Sequence, residues 1–165
     1  MRNHINKHAG LTFIELIITV TILGILAAVI MPLSQMTAQR TRELELKRNL
    51  RTIRTAIDDY KKRYDKAVAE KKIASVMNKA SGCPESLKVL VEGFDFGDAN
   101  GTKIKFLRRI PADPFNPVKG NEEPKWGLRS YADRPDSNNW GGEDVYDVYS
   151  LSEGTAIDGT KLKDW

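Results

Sequence analysis

The chain has 165 residues, a formal charge of +4 and one cysteine, Cys83. A single cysteine excludes an internal disulfide, and so small a surplus of charge leaves no footprint for a nucleic-acid partner. His4 and His8 both fall in the first ten residues, and no metal-protease, nucleophile-elbow, paired-cysteine or phosphate-loop pattern follows, so no catalytic residues are assigned and an enzyme is not expected.

Residues 1–10 carry Arg2 and Lys7 but no acid, and end on the small pair Ala9-Gly10. From Leu11 to Met31 run 21 residues in which Glu15 is the sole charge; the next is Arg40. As a helix this run would span about 30 Å, the thickness of a bilayer core. The basic flank places residues 1–10 in the cytoplasm and everything after Met31 outside. A removable signal peptide fits poorly, because the run is too long and lacks a small-x-small site before a polar start. A lone acid in such a run costs roughly 2.5–3.5 kcal/mol at a helix centre, so Glu15 calls for a compensating partner. Further along, Gly24 is a weak point in the helix, and Pro32 is expected to kink or end it.

The block Gly10-Leu11-Thr12-Phe13-Ile14-Glu15 resembles the class III leader junction of type IV pilins and pseudopilins. That family usually has Phe first and Leu third, so here the two apolar residues have exchanged places. The resemblance implies cleavage between Gly10 and Leu11 by a prepilin peptidase, and N-methylation of the new Leu11 amine. It also implies that Glu15 pairs with the N-terminal amine of a neighbouring subunit and sets register in a filament. Such a pairing would remove the cost of both buried charges. The plainer alternative is that Glu15 snorkels to the interface or favours the positive helix end. Gly24 and Pro32 would bracket a segment able to lose helical structure as subunits pack; a simple membrane kink is the alternative.

Past Pro32 the pattern becomes amphipathic. Leu46, Leu50, Ile53, Ile57, Tyr60 and Tyr64 recur at helical spacing and form one stripe, with mixed charges around it. One helix over about residues 11–68 is expected, its second half packing on a globular domain. Pro84 suits the first turn of a second helix, with Leu87, Leu90 and Val91 on its apolar face and Gly93 as its stop. Asp98 to Gly101 is turn chemistry, Lys103 to Leu107 reads as extended, and Pro111, Pro114 and Pro117 exclude regular structure nearby. Trp126–Tyr131 and Val145–Leu151 read as strands. The fold class is therefore α+β: a long N-terminal helix on a small antiparallel sheet. The expected segments are a removable leader over 1–10, a transmembrane and assembly helix over 11–32, and a globular domain over 33–165.

Arg109-Ile110-Pro111-Ala112-Asp113-Pro114-Phe115, Trp126-Gly127-Leu128 and Asp147-Val148-Tyr149-Ser150 are similar to blocks of major pseudopilins from type II secretion systems. This resemblance implies a subunit that polymerises through its N-terminal helix to support export of folded proteins. Its partners would be membrane lipid, copies of itself, minor pseudopilins, the prepilin peptidase, and an inner-membrane platform with its ATPase. The location implied is the inner membrane of a Gram-negative bacterium, with the C-terminal domain in the periplasm. Such proteins often bind calcium in a late acid-rich loop, whereas the tail here from Ser152 holds three widely spaced acids, Glu153, Asp158 and Asp164, with Lys161 and Lys163 among them. Calcium needs six to eight oxygens, so no metal ligand is assigned and no cofactor is expected, with calcium in this loop as the alternative. Asp158, Thr155 and Thr160 are expected to tie this loop by hydrogen bonds instead. Two other roles fit the sequence: a pilin of a surface or DNA-uptake pilus, and an anchored periplasmic binding module that does not polymerise.

Overall fold

The computed structural model describes residues 12–73, 81–98, 100–118, 120 and 122–165, without the side chains of residues 29–34. The chain divides into two compact units, Met1–Gln39 and Arg40–Trp165.

Helix α1 runs over Phe13–Ala69, close to the expected bounds. Its backbone is helical through Pro32, so of the two expectations for this proline, a kink or an end, the end is excluded and the single long helix stands. A proline removes one ladder hydrogen bond and costs about 3 kcal/mol, and the ladder resumes on either side of it.

In the second unit the stripe from Leu46 to Tyr64 is the floor of the core; Leu46 and Ile53 are 0% exposed. Leu87 and Leu90 of α2 (Leu87–Glu92), Phe96, Leu107, Trp126, Val145, Val148 and Leu162 pack on it. The Tyr60 ring is the hub, with centroids of Phe94, Phe96 and Phe106 at 5.6, 5.4 and 5.5 Å. These are edge-on or tilted arrangements, the geometry that ring quadrupoles favour. Helix α2 stops at Gly93, whose φ of 90° disfavours a side chain. The Leu90 carbonyl, left free by that ending, accepts the N–H groups of both Phe106 and Leu107.

The sheet is antiparallel but shorter than the expected strands. Strand β1 (Gly127–Arg129) pairs with β2 (Asp147–Tyr149), Leu128 opposite Val148. Gly127 lies under the Tyr149 ring, where a Cβ would fall 2.3 Å from a ring carbon. The expected extended stretch 103–107 contributes a single bridge, Ile104 to Phe94. A two-stranded sheet of this size has little stability alone, and the α1 stripe supplies its core. The arrangement is the expected α+β fold.

Candidate functional site

Gly10 and Leu11 lie outside the described residues, so the geometry begins at Thr12. The Glu15 N–H donates to Thr12 Oγ1 at 3.3 Å, and the Leu16 N–H donates to the Thr12 carbonyl at 3.1 Å. Thr12 is therefore the N-cap of α1, and Glu15 stands three residues on, in the first turn. Thr-x-x-Glu is the capping-box spacing, a signal masked in the sequence because the same residues also carry the cleavage-junction pattern. A carboxylate here also faces the positive end of the helix.

From Phe13 to Ala28 every residue of α1 is exposed, Phe13 by 78% and Leu23 by 63%. The two hydroxyls in this stretch turn back on the helix: Thr19 Oγ1 donates to the Leu16 carbonyl at 2.9 Å and Thr21 Oγ1 to the Ile17 carbonyl at 2.7 Å. With those donors satisfied, the surface offered outward is apolar. At Gly24 a Cβ would meet nothing within 4 Å, so the glycine leaves an open notch where another helix can approach closely. The side chain of Pro32 lies outside the described residues. Among the described residues no helix is long and apolar enough to cross a membrane. The expected span 11–32 includes Leu11 and the side chains of residues 29–32, all outside that set.

The second unit fixes its loops with acids. Asp113, 1% exposed, accepts from Ser150 Oγ at 2.6 Å and from the Phe115 N–H at 2.8 Å, locking the Pro-rich segment against β2. Arg54 of α1 donates from Nε to Asp147 Oδ1 at 2.7 Å and from Nη2 to the Val148 carbonyl at 2.9 Å. Glu43 accepts from the Ile157 N–H at 2.8 Å and ties the tail to α1. None of these three tethers was read from the sequence, because each joins residues about 37 to 114 apart in the chain.

The tail loop is closed as expected of its side chains. Asp158 Oδ1 accepts from the Thr160 N–H at 3.0 Å and from Thr160 Oγ1 at 2.6 Å, which holds its carboxyl below the usual carboxylate range. Lys161 Nζ donates to Thr155 Oγ1 at 2.9 Å. Among the described residues no group of three or more His, Cys, Asp or Glu is placed to hold a metal ion. Cys83 is buried, and burial pushes its thiol up, away from the reactive thiolate. At the far end of α1, Lys72 joins Glu70 at 2.9 Å and Asp98 at 3.0 Å, and Arg63 joins Asp98 at 2.7 Å.

Residues 5–31 match the model of the prokaryotic N-terminal methylation motif. Over 115 residues the chain is 26% identical to the type II secretion system core protein G of Pseudomonas aeruginosa, covering 68% of this chain and 72% of that relative. No solved structure matches the chain.

Proposed function

We propose, for this type IV pilin-like relative with its prepilin-type N-terminus, that the chain is a structural subunit of a secretion pseudopilus. The observation that carries the reading is the coincidence of the methylation motif with a helix exposed at every residue from Phe13 to Ala28, with Glu15 its one charge there, joined to a second compact unit. An acid in the first turn of such a helix needs a cationic partner once the helix is buried, and a neighbour's N-terminal amine meets that need. In this reading the leader is cut after Gly10, Leu11 is methylated, and Glu15 sets the register between copies. Gly24 and Pro32 supply the close approach and local give that helix packing requires. The subunit waits in the inner membrane with its second unit in the periplasm, and a platform protein and ATPase drive its assembly. Minor pseudopilins share the filament, and lipid surrounds the helix before extraction. The chain itself performs no catalysis and uses no cofactor in this role.

The test is Glu15→Ala in cells carrying the assembly machinery. Filaments recovered by shearing should be lost, while protease resistance of the second unit stays as in the wild type. Normal filaments from that variant would overturn the register role. Intact mass of the membrane form should begin at N-methyl-Leu11; a chain retaining residues 1–10 alongside an active peptidase would overturn the processing.

A further inference from the structure

We infer that the second unit carries two complementary side surfaces through which copies of this chain touch head to tail. The inference rests on the filament reading above and names the contact between neighbours that the apolar helix does not supply.

The first surface is a rigid aromatic and acidic loop. Tyr131 and Tyr146 are 62% and 50% exposed, yet their rings are fixed edge to face at 5.3 Å. Trp140 is exposed beside them. One buried residue, Asp144, holds the group: its Oδ1 accepts from the Tyr131 N–H at 2.9 Å and its carbonyl from Trp140 Nε1 at 2.7 Å. Asp133 Oδ2 closes the loop by accepting from the Ser130 N–H at 2.7 Å and the Gly141 N–H at 3.0 Å. Asp133, Asp136 and Glu143 lie along this loop with one cation, Arg134, whose Nε meets Asp136 Oδ1 at 3.4 Å in an exposed ion pair, which leaves the loop acidic in balance. Tyr and Trp held in place at a surface lose little entropy on binding, which is why such rings anchor interfaces.

The second surface is a groove of about 1270 Å³ along α1, lined among others by Leu44, Arg48, Arg108, Arg109, Ile110 and Pro111. Leu44 is 62% exposed there. Two further acids of the groove, Glu122 and Glu123, are engaged by Lys125 and Lys88, which leaves Glu45 and Glu92. Among the described residues none of the three arginines meets a carboxylate. Guanidinium groups in one groove with Leu44, Ile110 and Pro111 suit both parts of the loop, stacking on its rings and pairing with its acids.

The two surfaces lie on opposite flanks of the core stripe. Asn49 Nδ2 donates to the Ala112 carbonyl at 2.9 Å and fixes the groove side; Arg54, on Asp147, fixes the loop side. Five helix positions separate them, about 140° around the axis. A contact between two different patches of one molecule is heterologous, and its repetition extends an open array or closes a ring. The occupant of the groove is thus a second copy, recognised by its acidic aromatic loop.

The test uses the full chain in its membranes, in a Cys83→Ser background. Asn139→Cys and Arg108→Cys placed in one chain should give, on mild oxidation, a ladder of crosslinked species that neither single cysteine gives. Arg108→Glu with Arg109→Glu, and separately Asp136→Arg with Glu143→Arg, should each lower filament yield about tenfold, and combining all four should restore it. Filaments that form without any ladder would overturn the contact and leave the subunit role standing. A ladder without filaments would keep the contact and overturn the filament role. A product that stops at the dimer, or reversal of either surface without loss, would overturn the head-to-tail arrangement.

Discussion

Residues 13–28 and 46–64 belong to the same helix and are both rich in apolar side chains, but the chain treats them in opposite ways. In the first stretch every side chain is exposed; in the second, one stripe is buried to between 0 and 5% and the flanks are charged. The difference teaches where the partner of each lies. A stripe at helical spacing requires cover on one side, and the chain supplies it from α2, β1 and β2. A helix apolar but for Glu15, Thr19 and Thr21 and exposed all round has no such single face to cover, and in the proposed reading lipid or other helices supply the cover.

The largest break in that comparison is Tyr60→Ala. The ring touches three phenylalanines, and its loss should cost the second unit about 3–5 kcal/mol, read as a lower denaturation midpoint of the purified chain in detergent. Asp113→Ala should come next, at about 1–3 kcal/mol, because it strands the Ser150 hydroxyl and the Phe115 N–H inside the fold. The same denaturation curve checks it.

A smaller effect is expected with pH. Hydrogen bonds from Lys72 chiefly hold the Asp98 and Glu70 carboxyls below their ordinary values, and Lys72 is raised in turn by Glu70 and Asp98. The carboxylates therefore contribute fully above about pH 4, and that share is lost as pH falls through their lower folded values. The Lys72 share is present below its unfolded value near 10.4 and is lost only as pH rises through the higher folded one. Asp98→Asn should flatten the acid limb of a melting-temperature profile without moving the neutral plateau by much, since these groups are at the surface. The smallest effect on stability should come from Leu23→Ser, within about 0.5 kcal/mol, although filament yield should fall. A stability loss as large as that of Tyr60→Ala would mean that the exposed stretch has a partner inside the chain.

Periodicity made the helix and its stripe legible, because both are local regularities along the chain. The α2 stop at Gly93 was legible from turn chemistry as well. The strands were found but overestimated, since Val145 and Tyr146 favour β structure yet lie outside the paired residues, the Tyr146 N–H bonding the Arg129 carbonyl at the margin of the pair. Phe94, Phe96 and Phe106, which crowd around Tyr60, sit in irregular segments where no period marks them as core. The Thr12 cap was hidden by a second meaning of the same four residues. The tethers of Asp113, Arg54 and Glu43 depend on tertiary meetings that no spacing encodes.

Strands β1 and β2 are three residues each, and this brevity bears on aggregation. A long open strand edge is a template on which foreign strands add, and stacked edges lead toward amyloid. Here the edges end after a few peptide units, and Pro111, Pro114 and Pro117 run through the segment before β1. In the proposed reading, copies that expose so much apolar helix are crowded together in a bilayer. With β-edges this short, growth by strand addition is suppressed.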